Sequence, residues 1–157
     1  MRVCVDTAIF LDILKDEFRP FQEIFYSALS AKETLLVPAV VFAELLPQFG
    51  GDSALTASFL KDHKIQIFPL DLEGTIIAGR RWMEYLGKKS KAKCPHCGRS
   101  LSQKKHILSD FYIGGFALTH CDAILTRDRG IYRKYFSELK GYGGCLGKNV
   151  ITPLKEI

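Results

Sequence analysis

The sequence predicts an α/β fold with a parallel sheet of about five strands flanked by helices. Three observations carry that expectation. Short β-rich runs recur at residues 2–5, 35–38, 65–68 and 123–126, with a further one at 149–152. Between them lie longer segments with helical apolar spacing, and the joins carry helix-start and turn residues such as Thr7, Pro20, Gly50-Gly51 and Gly87. Regular alternation of strand and helix calls for parallel pairing through right-handed crossovers. The 157 residues suffice for one domain with a full core, and the chain reads as a single domain over 1–157, without internal repeats.

In order, Arg-Val-Cys-Val at 2–5 stops at Asp6, and Thr7 is placed to cap a helix with Ile9, Phe10, Ile13 and Leu14 on one face. A second helix opens at Pro20. The strand LLVP ends at Pro38, and AVVFAELLPQF after it is apolar on every side except at Glu44. As a helix that segment is expected to be buried, with a carboxylate in its middle that needs a partner. The segment DSALTASFLKDH reads as a helix capped by Asp52 or Ser53, and DLEGTIIAGRRWMEYLG as an amphipathic helix ending at Gly87. Residues 88–105 break the pattern with a Lys-rich insertion containing CPHCG. A helix resumes at Ile107 with Asp110 in its first turn and a small-residue face at Gly114, Gly115 and Ala117. The strand AILT then opens onto Arg127, Asp128, Arg129 and Gly130, and IYRKYFSEL reads as a short last helix.

Composition narrows the function classes. Apolar content of 47% and charged content of 25% fit a soluble globular chain. No apolar run approaches eighteen residues and the first ten residues do not read as a leader, so a cytoplasmic, non-membrane protein is expected. A net charge of +5 favours a polyanionic partner. The charge is concentrated: Tyr85 to Ser109 holds no acidic residue but contains Lys88, Lys89, Lys91, Lys93, Arg99, Lys104 and Lys105.

In an open parallel sheet, ligands bind beyond the carboxyl ends of the strands. Asp6 and Asp128 each lie just past a strand, Asp110 opens a helix near that edge, and Glu44 lies about two turns into the helix after the second strand. Singly, each acidic residue reads first as a cap or turn former rather than a ligand. Together at one edge they point to a cation site, because clustered carboxylates repel one another and all-oxygen donors select a hard ion, Mg²⁺ or Mn²⁺. The other acidic residues, Asp12 among them, read as solvated faces and caps. A phosphotransferase of the phosphoaspartate type lacks its D-x-D signature, since the first strand ends in Asp6-Thr7-Ala8.

Asp6-Thr7, Glu44 in its apolar helix, Asp110 in DFYIGGFAL and Asp128 in LTRDRG together resemble the four acidic positions of PIN-domain nucleases, in particular VapC-type toxins of toxin–antitoxin pairs. The likeness covers the chain apart from 88–105 and the loop around Cys145. It implies a three-layer PIN-like fold and an Mg²⁺- or Mn²⁺-dependent endoribonuclease with Asp6, Glu44, Asp110 and Asp128 as metal ligands or general bases. It further implies support from Thr7 and Thr126, phosphate contacts from Arg127 and Arg129, an RNA substrate, an antitoxin partner and a homodimer. The alternative is a non-catalytic PIN-like module that binds RNA or protein.

The C-x-x-C pair Cys94/Cys97, followed by Gly98, is similar to a zinc knuckle and is expected to bind structural Zn²⁺. Candidates to complete the site are Cys121, Cys145, His96, His106 and His120. Cys121 and Cys145 are expected at the sheet edge opposite the carboxylates, with His106 as the next choice. A thioredoxin-like reading fails because the pair follows a helix in a polar loop. Cys4 reads as a small buried apolar residue.

Overall fold

The computed structural model describes residues 1–88, 95–98 and 107–147. Four parallel strands, β1 (Arg2–Val5), β2 (Thr34–Pro38), β3 (Gln66–Phe68) and β4 (Ala123–Leu125), form one sheet in the order β3-β2-β1-β4. Register pairs Cys4 with both Leu36 and Ile124, so β1 is the central strand with neighbours on both sides. Its side chains Val3, Cys4 and Val5 are fully buried, as a strand covered on both faces requires. The predicted fifth strand at 149–152 lies outside the described residues.

Among the described residues, seven helices flank the sheet: α1 (Thr7–Lys15), α2 (Arg19–Ser30), α3 (Ala39–Leu45), α4 (Ser53–Asp62), α5 (Leu72–Gly87), α6 (Leu108–His120) and α7 (Arg129–Tyr135). Their limits follow local chemistry. Asp52 caps α4 by accepting from Ala54 N and Leu55 N, and Asp71 caps α5 by accepting from Gly74 N at 2.8 Å. Asp6, rather than Thr7, holds the extended N-cap position of α1. The segment expected as one buried helix after β2 is shorter and more open than its composition suggested. Helix α3 stops at Leu45, a 3₁₀ turn covers Leu46–Phe49, and Ala39 and Ala43 face solvent. Pro47 cannot continue the backbone ladder, and Gly50 and Gly51 take positive φ to turn the chain.

The chain runs outward from β1 through β2 to β3, then crosses back to place β4 on the other side of β1. That reversal opens a crevice between the carboxyl ends of β1 and β4. The crossing is made by α5 and α6, which pack closely: a Cβ on Gly115 would lie 2.2 Å from the carbonyl oxygen of Gly74. Close packing there sets the height of α6 over the sheet, and with it the position of Asp110.

Candidate active site

Asp6, Thr7, Ala8, Leu11, Glu44, Asp110 and Asp128 line one cleft of about 340 Å³. It lies at the crevice between β1 and β4, and its four carboxylates come from four separate places in the chain. Asp6 continues β1, with its backbone N–H donating to the Leu125 carbonyl at 3.0 Å. Asp128 caps α7, where it accepts from Gly130 N at 2.9 Å. Asp110, at the third position of α6, accepts from the Ile107 N–H at 3.0 Å. Glu44 reaches in from α3 and takes one hydroxyl on each oxygen, from Thr7 and from Ser109.

Thr126 links two of the four. It is fully buried, donates to Asp6 Oδ2 at 2.6 Å, and accepts from the Asp128 N–H at 3.0 Å. Each carboxylate is thus oriented by at least one hydrogen bond from its own framework, which lowers the freedom lost on binding a ligand.

Burial drives the electrostatics. Asp6 is 5% exposed, and its carboxyl is pushed up from its ordinary 3.8 to about 7. Desolvation is the main cause, opposed by the Thr126 hydrogen bond and reinforced by the negative charges of Asp110, Glu44 and Asp128. All three neighbouring charges acting on Asp6 are acidic, so a cation in the cleft would relieve both burial and repulsion. The donors are oxygens throughout, which fits a hard divalent ion rather than zinc. Among the described residues, no three His, Cys, Asp or Glu side chains stand close enough together to grip an ion as they lie.

A family model for the PIN domain matches residues 3–137, a span that includes all four carboxylates. The chain belongs to the PIN domain family. PIN domains are generally nucleases that act on nucleic acid and use divalent metal ions, and the parallel sheet between helices described above is the PIN fold. No curated protein and no solved structure matches the chain. Among the described residues of this PIN domain, no helix is long and apolar enough to cross a membrane.

The two arginines beside Asp128 differ. Arg129 is exposed at the start of α7. Arg127 is half-buried, with Nε 3.2 Å from Asp12 Oδ2 and its guanidinium 4.1 Å from the centre of the Phe18 ring. Asp12, expected on a solvated face, is only 1% exposed. Its position three residues after buried Ile9 on α1 already placed it on the inner stripe. Burial lifts the Asp12 carboxyl above its usual range while the Arg127 charge pulls it down. Ser109 is the other residue that sequence reasoning missed. The only signal for it was its position beside Asp110 in the first turn of α6.

Among the described residues, Cys97, Cys121 and Cys145 form no shared cluster. Residues 95–97 form a turn and Gly98 takes φ +68°, the conformation foreseen for the glycine after the C-x-x-C pair. Cys97 is exposed, while Cys94 and His106 lie outside the described residues. Cys145 was expected near Cys121, before β4. Instead the chain turns back beside the middle of that strand: Tyr142 N donates to the Ile124 carbonyl, and the buried Cys145 thiol donates to the same oxygen at 3.2 Å. Burial pushes the Cys145 thiol up, which opposes the thiolate form a metal needs. Cys121 sits at the C-cap of α6, half-buried, beside the buried Cys4 whose thiol burial pushes up. His120 is occupied by Asp71 across the α5–α6 junction.

Proposed function

We propose that this PIN domain is an Mg²⁺- or Mn²⁺-dependent endoribonuclease, the toxin of a VapBC-type toxin–antitoxin pair. The observation that carries the reading is the convergence of Asp6, Glu44, Asp110 and Asp128 on one cleft at the sheet's reversal point, with Asp6 held at about 7. Those four residues would hold the ion or ions. Bound there, such ions supply Lewis acidity toward a phosphate oxygen and a more acidic attacking water.

The chain's own part is positioning and proton handling. Thr126 fixes Asp6 through Oδ2, and Thr7 and Ser109 fix both oxygens of Glu44. Asp6 takes or gives a proton near neutrality, so loading of the site releases a proton and tightens with rising pH. Arg129, exposed beside the cleft, supplies positive charge toward the RNA backbone. The +5 charge of the chain works in the same direction.

The decisive experiment is cleavage of a generic RNA with Mn²⁺ or Mg²⁺, comparing the wild type with Asp6→Asn and with an excess of chelator. Metal-dependent cleavage lost in the variant supports the nuclease. Equal inertness of both proteins with retained RNA binding favours a non-catalytic RNA-binding module. Co-purification with a small protein encoded beside it tests the antitoxin, and sedimentation tests the homodimer.

For the insertion, we propose a structural Zn²⁺ on Cys94 and Cys97. Of the candidates for the remaining positions, Cys145 has its thiol engaged by the Ile124 carbonyl. His106, which closes the insertion in sequence, is the better next candidate. Metal analysis of purified protein decides it: one zinc per chain should fall to none in Cys97→Ser and persist in Cys145→Ser.

A further inference from the structure

Next to the carboxylate cleft lies a second cavity of about 350 Å³, lined by Ala8, Arg127 and Asp128. Ala8 and Asp128 line both, so the two spaces adjoin. The wall formed by Arg127 is built with care. Asp12 has an exposure of 1%, and neither of its carboxylate oxygens accepts a hydrogen bond from another described residue, so its contact with Arg127 is an ion pair at 3.2 Å of poor hydrogen-bond geometry. Removing Arg127 would leave the buried Asp12 charge uncompensated, which ties the two together. On its other side the guanidinium lies over the ring of Phe18, which remains 51% exposed.

Phe18 is presented by an unusual turn. Asp16 takes φ 51° as the left-handed C-cap of α1, and Phe18 follows at φ 48°, a conformation uncommon for an aromatic side chain. Gln22 secures the turn by donating from Nε2 to the carbonyls of Asp12 at 3.1 Å and Glu17 at 2.7 Å. The result is a large aromatic ring held toward solvent with a cation on it, one cavity away from the four carboxylates.

We propose that Phe18 and Arg127 form a nucleotide subsite flanking the cleft, in which Arg127 takes the phosphate next to the one cut, Phe18 stacks the attached base, and Asp12 positions Arg127. The inference rests on the nuclease reading for the identity of the cleft, and it names the substrate class as RNA unpaired at that position, because a base must leave its helix to stack on a protein ring. A cation beside the acidic cleft also offsets the repulsion that a polyanion meets there.

The test is binding of a short fluorescent single-stranded RNA to Asp6→Asn protein, alone and combined with further changes, together with a cleavage assay on the wild type. Phe18→Asn removes the ring and suits the left-handed backbone, so folding is preserved; binding weakens about tenfold, the loss of one base stack, with an unchanged salt slope. One abasic position in the RNA reproduces that loss and makes Phe18→Asn silent. The joint change Arg127→Gln with Asp12→Asn leaves no buried charge alone and lowers the log–log salt slope by about 0.7, one phosphate contact on a single strand. Asp12→Asn alone lowers the slope part of the way while Arg127 is still present, which a purely structural Asp12 would not do. Unchanged affinity and slope in all these variants, or a parent that binds no RNA, overturns the subsite. Cleavage by the wild type with unchanged binding in the variants leaves the nuclease standing without it. Binding losses as described without any cleavage sink the nuclease reading alone.

Discussion

At the scale of residues, Asp6 concentrates the tension of the site. Its carboxyl sits at about 7 in the folded protein against 3.8 ordinarily, so between those values the folded state holds a proton that the unfolded chain has released. The stability this contributes is complete below pH 3.8 and is lost as pH rises through 7. Metal-free protein should therefore melt at a higher temperature at pH 5.5 than at pH 8 as far as Asp6 decides it. Asp6→Asn, whose side-chain oxygen still accepts from Thr126, should be more stable than the wild type at pH 8 by on the order of a few kcal/mol, with the gain shrinking toward pH 5. A gain independent of pH in thermal melts would contradict this. Glu44 makes a second case: Ser109→Ala removes one of its two hydroxyl donors and should cost about 1 kcal/mol of stability and reduce cleavage more than it raises KM. The four carboxylates were legible in sequence because each stands at or near the end of an element, where spacing alone decides the edge it faces. Ser109 and the Asp12–Arg127–Phe18 set were not, since their contacts join residues from elements whose relative rotation no spacing reveals.

At the scale of elements, the crossing of α5 over α6 places Asp110. A Cβ on Gly115 would meet the Gly74 carbonyl at 2.2 Å, and backbone cannot step aside as a flexible side chain does. Gly115→Ala should destabilise by about 1–3 kcal/mol in urea titrations and lower cleavage by shifting Asp110. Gly79, on the same helix as Gly74, has no described residue within 4 Å of its Cβ position. There Gly79→Ala should stabilise by roughly 0.5–1 kcal/mol without touching activity. Equal effects of the two substitutions would mean that helix propensity, not close approach, governs this pair. The sequence marked Gly114, Gly115 and Ala117 as a face for close packing, and the structure adds the partner, Gly74 on α5, with Phe136 against Gly114. Helix α3 shows the opposite lesson: a segment apolar in composition is partly solvent-facing, because Pro47 and the glycines at 50–51 cut it to seven residues before it can be enclosed.

At the scale of the whole molecule, Arg81 on α5 reaches past the end of α7 to Glu138, at 2.6 Å, and to the Tyr135 carbonyl. The Arg81 hydrogen bond holds the Glu138 carboxyl down at about 2, from 4.5. The stability it lends is present above pH 4.5 and fades as pH falls through 2. Since Glu138 is 57% exposed, the effect stays below about 1 kcal/mol and weakens in salt. Comparing Glu138→Gln with wild type in acid melts should show the difference closing below pH 3. The arrangement ties the crossover helix to the segment that carries Asp128, and so ties the two sides of the cleft. Sequence by itself determined the alternating parallel architecture and the placing of Asp6, Glu44, Asp110 and Asp128 at one edge, because strand ends, helix starts and apolar periodicity are local properties written in neighbouring residues. Only the tertiary structure decided that β4 returns to the far side of β1, that Cys145 folds back on Ile124 rather than joining Cys121, and that Asp12 is buried under Arg127. Strand order, a turn's return path and the partner of a buried charge depend on which distant surfaces meet, and that is settled by packing the whole chain at once.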